Sequence, residues 1–417
     1  MTRYHWMENK AGKLLFPVCL FALLLLARDT LITSCTLGFY KSQFLMLGIL
    51  GVMGLYFLLC NRKNLGKVFT DGRMLWLLVC AAVMLIPMLL KQDWQLMYFS
   101  ILLCMFTAVF FTYFVPLEET AKYFVLMIAA LAVYAVIAAY PMKWLADAGI
   151  LKAATFKNDS GAKFYDFFLA FARTSKNYFR SYGIFREPGV FQFFLILSLY
   201  LNNYVLVWEK KWQLWVLNGI LAGTMMTTFS TNGVIEVILL AAVLFLEKKL
   251  YKEKRWLIAL AVFAGAAAVG LALIIAQQGA LYNALYKMVI KLVTINGSSG
   301  TRYQAIFVDL MAFLKHPILG APVEETLHAV KNNTTSTMVL YAILGMAGGT
   351  LNVAAWIALV WDKNRKVWVN LALLVILFMS FNTQNITTDV FFWLFPMMAL
   401  VERTLPLLEE KIKKKKA

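Results

Sequence analysis

Stretches of about 20 apolar residues with almost no charge recur along the chain, and they constrain its fold more than any other feature. Leu96 to Val115, Trp256 to Gln277 and Met338 to Val360 are three of them. A helix of this length crosses the roughly 30 Å hydrocarbon core of a bilayer. Because 61% of the 417 residues are hydrophobic and only 15% are charged, the chain has more apolar residues than a soluble domain needs. The sequence therefore predicts an all-α polytopic membrane protein.

Counting the apolar stretches gives twelve predicted transmembrane helices. They lie at about 14–27, 43–60, 74–90, 96–115, 121–140, 188–207, 213–230, 233–246, 256–277, 338–360, 367–380 and 389–402. The chain then divides into helices one to five (1–140), a first long loop (141–187), helices six to nine (188–277), a second long loop (278–337), and helices ten to twelve with a basic tail (338–417). We expect both long loops to fold against the membrane surface and to contain short amphipathic helices.

The distribution of positive charge predicts the orientation. Lys and Arg cluster in the short connections on the side of the two termini, whereas two of the opposite short loops, Ser230 to Gly233 and Phe381 to Asp389, contain none. Under the positive-inside rule both termini are cytoplasmic and both long loops are outside. This distribution also accounts for the net charge of +18 without a nucleic-acid partner, because the basic residues do not follow one face of a domain.

The first long loop ends in residue types that bind phosphate. The segment R-S-Y-G-I-F-R-E-P-G-V-F-Q, Arg180 to Gln192, leads into a predicted helix with Pro188 in its first turn. A helix N-terminus attracts anions, and Arg180 and Arg186 could grip the oxygens of a diphosphate. Alternatively, both arginines reach lipid headgroups at the membrane boundary. Glu187 could cap the helix, or it could act as an acid or base.

The second long loop contains a predicted amphipathic helix and two histidines. The helix runs from Arg302 to Lys315, Pro317 ends it, and we expect it to lie in the outer interface of the bilayer. His316 is either structural or a substrate-binding residue, and His328, in a polar stretch, is the better candidate base. Neither histidine has a second ligand at metal spacing, so the sequence predicts no metal site.

Glu236 lies one turn into a predicted transmembrane helix, directly after the S-T-N-G of Ser230 to Gly233. A carboxylate inside the membrane is a functional candidate because burying its charge is costly. The alternative is that Glu236 is shallow enough to reach water, or that it pairs with an arginine from a loop.

Four motifs follow one another between roughly residues 175 and 360. They are R-x-x-G-x-F-x-E-P (Arg180 to Pro188), T-x-F-S-T-N-G (Thr227 to Gly233), G-T-R-Y…K-H-P-I-L-G (Gly300 to Gly320) and M-V-L-Y-A-I-L-G-M-A-G-G (Met338 to Gly349). Their order resembles that of the O-antigen ligase and polymerase family. The resemblance implies a multi-pass glycosyltransferase of the bacterial cytoplasmic membrane, active at the outer face on sugar chains carried by undecaprenyl diphosphate, with no cofactor and no metal.

The resemblance also implies roles for individual residues. Functional arginines of the family lie in the two long loops and match Arg180 or Arg186 in the first loop and Arg302 in the second. They would bind the diphosphate and stabilise the charge that grows on it as the glycosidic bond breaks. Glu187 or His328 would take the proton from the acceptor hydroxyl.

One departure from the family pattern bears on function. Ligases of the family commonly carry a histidine–asparagine pair near the positions where this chain has Thr334 and Thr335. The absence of that pair here favours polymerisation of repeat units, of O-antigen or capsule type, over ligation. Thr334 then becomes a candidate substrate-binding residue. Ligase-type transfer to another acceptor stays an alternative, with a lipid-linked oligosaccharide flippase or a secondary transporter as the alternative of another class. Such proteins need polar residues around a midplane cavity, whereas the ionisable groups here lie mostly near helix ends. The expected partners are the lipid-linked oligosaccharide, membrane lipids, a chain-length regulator and a flippase.

Overall fold

The computed structural model describes residues 10–62, 70–158, 161–175, 180–254, 298–327 and 333–416, with a few positions among 66–68 and 258–279. Most of these residues are helical. Among them, five helices are long and apolar enough to cross a membrane: Tyr40–Asn61, Gly72–Lys91, Leu117–Asp147, Thr337–Val360 and Val390–Leu407. The chain is thus an all-α membrane protein in its general architecture, as its composition predicts.

The helices follow the predicted apolar segments closely. The first are α1 (Lys10–Leu25), α2 (Phe39–Asn61), α3 (Gly72–Lys91), α4 (Leu96–Phe111), α5 (Leu117–Ile137) and the short α6 (Lys143–Asp147). Next come α7 (Pro188–Tyr204), α8 (Lys211–Thr227), α9 (Thr231–Glu247), α10 (Ser298–Lys315) and α11 (Val323–Leu327). The last are α12 (Thr337–Val360), α13 (Val367–Phe381) and α14 (Val390–Lys416). Every predicted span coincides with a helix except 256–277, which lies mostly outside the described residues.

The first long loop contains a small antiparallel sheet that the sequence analysis did not predict. β1 (Ala154–Lys157) pairs with β2 (Lys163–Asp166), and β2 pairs with β3 (Phe171–Arg173). Phe156 stacks on Phe164 with 5.8 Å between ring centroids, and Phe164 packs edge-on against Tyr182. Here the sheet corrects the expectation of amphipathic helices, because the paired strands stack their aromatic side chains on one face, as the period of two in a strand allows.

The second long loop contains the helix that was predicted from its apolar spacing. α10 begins four residues before Arg302 and ends at Lys315, two residues before Pro317. Its Phe313 packs edge-on against Tyr341 of α12, with 5.3 Å between ring centroids. The predicted helix is therefore present and lies against α12, although Ile306, Leu310 and Leu314 of its predicted apolar face are exposed.

Helices α7 and α14 form the centre of the bundle. All residues from Val190 to Asn202 in α7 are buried, as are those from Val390 to Val401 in α14. Phe391 of α14 stacks on Phe124 of α5 at 5.0 Å, and Phe194 of α7 lies 5.7 Å from Phe391. Because a helix that is apolar and buried all round must be enclosed by others, the N-terminus of α7 lies at the middle of one end of the bundle.

The chain that follows α10 inserts into a break in α12. Gly345, inside α12, has φ +64°, and Gly320 has φ +73°. A Cβ atom at either position would collide with the backbone of the other segment, at Ile318 or at Ile343. Only glycine allows this approach, because the left-handed conformation and the contact between two backbones both exclude a side chain. The K-H-P-I-L-G and L-Y-A-I-L-G motifs therefore meet at this crossing.

Candidate functional site

The two long loops and the N-terminus of α7 lie at the same end of the bundle, which we call the loop end. There, Glu236 of α9 is completely buried. Gln192 of α7 donates from Nε2 to one Glu236 carboxylate oxygen at 2.9 Å, and Asn232 donates a short hydrogen bond to the other. Ser230 donates to the amide oxygen of Gln192. We call these four residues the Glu236 cluster.

This geometry corrects the expectations for Glu236. Its carboxylate has no exposed surface, so it does not reach water. Within the described residues its partners are amides and not arginines. Gly233 allows this arrangement, because a Cβ there would lie 2.6 Å from Met225 Sδ and 2.9 Å from Gln192 Cγ. The glycine of the S-T-N-G motif thus brings α9 close enough to α7 for the cluster to form.

Arg180 lies against the C-terminal end of α8. Its Nε donates to the carbonyl oxygen of Thr228 at 2.7 Å, and the N–H of Ser181 donates to the carbonyl oxygen of Thr227 at 3.0 Å. The last carbonyl groups of a helix lack partners within the helix and carry partial negative charge. Arg180 therefore fixes the end of the first loop to α8, beside the Glu236 cluster.

Arg186 is partly exposed and forms an ion pair with a buried acid. Its Nη2 lies 3.0 Å from Asp29 Oδ1, and its side chain is 40% exposed whereas that of Asp29 is 7% exposed. Its main-chain N–H donates to the carbonyl oxygen of Asp29 at 2.7 Å. The Nε of Arg186 has no hydrogen-bond partner in the part of the chain that the structure describes. Arg186 thus anchors Asp29 through a side chain that stays partly exposed.

Glu187 occupies the N-cap position of α7, as predicted, but its side chain makes no capping hydrogen bond. The side chain is exposed and accepts from Gln384 Nε2 at 3.4 Å. The carbonyl oxygen of Gln384 accepts from the Ser336 hydroxyl at 2.7 Å. The capping interpretation is therefore wrong, and Glu187 is instead linked to the segment that leads into α12.

Asp309, a buried carboxylate in α10, was not among the residues predicted from the sequence. Asn333 Nδ2 donates to one of its oxygens at 2.7 Å, and Thr335 donates a short hydrogen bond to the other. Burial raises the pKa of Asp309 to about 6, although these two hydrogen bonds act to lower it. Thr335 is one of the two residues near the position of the ligase histidine–asparagine pair. The hydroxyl of the other, Thr334, is buried without a partner among the described residues.

A cavity of about 690 Å³ lies between α9, α10, α12 and α13. Asn232, Asn382 and Thr383 line its polar part, and Asn232 also belongs to the Glu236 cluster. The remainder of the wall is mostly apolar and consists of Ile306, Val353, Ile357, Leu374, Val375, Phe378 and Met379. We call this cavity, with its polar and apolar walls together, the α12–α13 cavity. It combines a polar part at the loop end with an apolar part between helices.

The remaining candidates lie in the second loop. Arg302 stands one turn before Ile306 in α10, and its side chain lies outside what the structure describes. His316 is exposed, and its carbonyl oxygen accepts from the N–H of Gly320 at 2.8 Å. His328 lies outside the described residues. Within the described part, no group of three or more His, Cys, Asp or Glu side chains could hold a metal ion.

The structure brings together residues that lie far apart in the sequence. Gln192 and Asn232 were both inside the motifs that the sequence analysis quoted, although neither was singled out. A polar residue in an otherwise apolar helix was the signal available for both, and for Asp309. Asp29 gave no comparable signal, because it lies in a polar connection after α1.

Comparison of the chain with protein-family models, with curated proteins and with solved structures gives no match. The resemblance to the O-antigen ligase and polymerase family therefore stays a prediction that rests on the four motifs.

Proposed function

We propose that the chain is a membrane glycosyltransferase that joins undecaprenyl-diphosphate-linked oligosaccharide repeat units into a cell-surface polysaccharide. The α12–α13 cavity is the observation that carries this proposal. Its wall is polar near the Glu236 cluster and apolar between the helices. A polyprenyl diphosphate sugar has the same division, with a hydrocarbon chain on one side and a charged head on the other. A mostly apolar wall with a few polar groups at one end suits an amphipathic ligand of this kind.

The proposal includes the topology. Twelve crossings with both termini in the cytoplasm put the loop end at the outer face of the bacterial cytoplasmic membrane. The absence of Lys and Arg from Ser230 to Gly233 and from Phe381 to Asp389 supports this orientation.

In the proposed reaction, an acceptor hydroxyl attacks the anomeric carbon of the donor sugar. The bond between that carbon and the diphosphate oxygen breaks, and the lipid diphosphate leaves with the electron pair. Arg186 and Arg302 stabilise the charge that grows on the diphosphate. The partial exposure of the Arg186 side chain and the position of Arg302 one turn before Ile306, which lines the cavity, support these roles. No metal takes part in this scheme.

The hydroxyl proton passes to Glu187 or to His328. Glu187 is exposed, and among the described residues its carboxylate has only a long hydrogen bond to Gln384, so it is accessible to an acceptor. Glu236 has a different role, because it is completely buried and both its oxygens accept hydrogen bonds. It holds Gln192 and Asn232 in place at the edge of the cavity.

The ion pair between Arg186 and Asp29 allows a direct test. Purified protein in proteoliposomes would receive undecaprenyl-diphosphate-linked repeat units, and the products would be separated by length. Arg186→Ala abolishes elongation in the proposed mechanism, but it also leaves Asp29 buried without its partner, which is destabilising by itself. The double variant Arg186→Ala/Asp29→Asn removes the unpaired charge while the arginine stays absent. We expect the double variant to recover thermal stability and to stay inactive, and Arg302→Ala to be inactive with wild-type stability.

Recovery of elongation in the double variant would show that Arg186 only anchors Asp29, and it would remove Arg186 from the mechanism. If the wild-type protein moves labelled lipid between leaflets without elongating the glycan, the chain is a flippase and the proposed enzyme is excluded. Transfer of the glycan to a different acceptor without lengthening would identify the ligase-type reaction.

A further inference from the structure

Two cavities adjoin at the end of the bundle opposite the loop end. The first has a volume of about 220 Å³, lies between α7, α8 and α9, and has a largely apolar wall. The second has a volume of about 360 Å³ and a polar wall. Asn203 and Lys248 line both cavities, which therefore meet at these two side chains. An apolar cavity joined to a polar one is complementary to a molecule with a hydrocarbon chain and a polar head.

Charged groups of both signs surround the polar cavity. Arg365 is only 11% exposed, and its Nε lies 3.6 Å from Glu247 Oε1. Its Nη2 lies 3.9 Å from Asp362 Oδ2, and the Asp362 side chain is 45% exposed. Lys248 is exposed. Arg365 and Glu247 largely compensate each other, so among the described residues that line the polar cavity an incoming ligand meets one accessible cation, Lys248, and one accessible carboxylate, Asp362.

The side chains at the junction between the cavities are of types that favour the headgroup region of a bilayer. The Lys248 Nζ stands 5.9 Å from the centroid of the Trp215 ring, and Trp215 lines the apolar cavity. Asn203 and Asn218 exchange hydrogen bonds at 2.7 and 2.9 Å on the same wall. Tryptophan, with its apolar ring and polar N–H, and lysine, with its apolar stem and charged head, favour the boundary between hydrocarbon and headgroups.

We propose that the two cavities together bind one phospholipid with a phosphoethanolamine headgroup. Its acyl chain lies in the apolar cavity, its phosphate contacts Lys248, and its ammonium group donates to Asp362. An anionic headgroup without an amine would bring its charge close to Glu247 and Asp362 and would offer Asp362 no further donor. A choline headgroup has no N–H to donate. This lipid site does not depend on the reaction proposed above.

The apolar cavity is tested by a matched pair of substitutions in α9. Ala241 lines the cavity and its neighbour Ala242 does not, and both are exposed. Delipidated protein in detergent would be mixed with dioleoyl phosphatidylethanolamine, and bound lipid would be measured by native mass spectrometry together with the rise in melting temperature. Ala241→Phe fills the cavity, and we expect it to lower lipid retention about tenfold. Ala242→Phe should retain lipid as the wild type does.

The headgroup is tested in the same assay with phosphatidylglycerol and phosphatidylcholine. Lys248→Ala and Asp362→Asn should each weaken retention of phosphatidylethanolamine about tenfold, because each removes one charge-assisted contact. Lys252→Ala, at an exposed lysine that lines neither cavity, is the control. Equal retention of the three lipids would overturn the headgroup assignment. Equal lipid retention by Ala241→Phe and Ala242→Phe would overturn the proposed lipid site. If Ala241→Phe does not fold, lipid retention by Lys248→Ala at the wild-type level would overturn the site instead.

Discussion

Hydrogen bonds around Glu236 have a direction that substitutions can reverse. The Gln192 amide donates to one carboxylate oxygen and the Asn232 amide donates to the other. Glu236→Gln places an NH₂ group against one of these donors, and leaving a buried donor without a partner costs about 1–3 kcal/mol. We expect that loss in the free energy of unfolding, measured by thermal or denaturant unfolding in detergent.

The reverse exchange should recover the loss. In the double variant Glu236→Gln/Gln192→Glu, the new carboxylate at position 192 accepts a hydrogen bond from the new amide at position 236. It also accepts from the Ser230 hydroxyl, which in the wild type donates to the Gln192 side-chain oxygen. The oxygen of the new amide still accepts from Asn232. Gln192→Glu alone is the control, because it puts two carboxylates side by side and should destabilise. If the two single effects add without recovery, then the directions of the hydrogen bonds described here are wrong.

At the scale of single residues, the sequence indicated which side chains are functional candidates better than it indicated their hydrogen-bond and ion-pair partners. The presence of Glu236 in an apolar segment indicated its importance, and the helix start at Pro188 was predicted correctly. Its partner Gln192 lies 44 residues earlier, and no local pattern tells which faces of α7 and α9 meet. The Arg186–Asp29 pair joins residues 157 positions apart and was missed for the same reason.

Among the elements, α12 is unusual because it is broken in the middle by another segment. The N–H of Ala321 donates to the carbonyl oxygen of Ala342 at 2.7 Å, and the N–H of Met346 donates to the carbonyl oxygen of Pro317 at 2.8 Å. The Lys91 ammonium group donates to a further carbonyl of the break, at 2.6 Å. Backbone groups that the break releases from the helix therefore find partners elsewhere, which a buried break requires.

Gly345→Ala should be severely destabilising for this reason. The substitution forces a side chain into a left-handed conformation and into the backbone of Ile318, and we expect a loss of about 3 kcal/mol or more in the free energy of unfolding. Gly219→Ala in α8 is the matched control, because nothing lies within 4 Å of a Cβ there. It should be neutral or stabilising by roughly 0.5–1 kcal/mol. Equal melting temperatures for the two variants would contradict the crossing at Gly345.

Helices that a local sequence pattern indicates were predicted from the sequence. Structural features that depend on contacts between distant segments were not. The length of apolar runs located the helices, and the helical spacing that ends before Pro317 predicted α10. The sheet from Ala154 to Arg173 was missed because its strands are only three or four residues long. The break at Gly345 was missed because a single glycine in an apolar run is compatible with an unbroken helix.

For the whole molecule, the composition predicts that the chain lies in lipid, but it does not predict how the helices are arranged. Both α7 and α2 are apolar, yet α7 is buried on all sides and α2 keeps many exposed apolar side chains such as Phe44 and Leu55. Hydropathy alone cannot separate the two, because lipid and protein interior are equally apolar. Their difference arises because α7 packs against α5, α8, α9 and α13, and this packing depends on the fold of the entire bundle.

The proposed count of twelve crossings makes a prediction about two exposed residues. Lys152 lies in the first long loop and Glu325 in the second. Four predicted spans separate them, and an even number of crossings puts both on the same side of the membrane. In a variant without native cysteines, Lys152→Cys and Glu325→Cys should both react with a membrane-impermeant maleimide in intact spheroplasts. Lys210→Cys and Lys363→Cys, at exposed positions in predicted cytoplasmic connections, should react only after permeabilisation.

Each other pattern of labelling has a definite meaning. If Lys152→Cys and Glu325→Cys react on opposite sides, an odd number of crossings separates them, and the segment 256–277 does not span the membrane. If all four sites exchange sides, the helix count stands, but the loop end faces the cytoplasm. Lipid-linked repeat units that have been exported to the outer face could not reach it there. That result would exclude the proposed polymerase, because the arginines and the α12–α13 cavity would then lie on the wrong side of the membrane for their substrate.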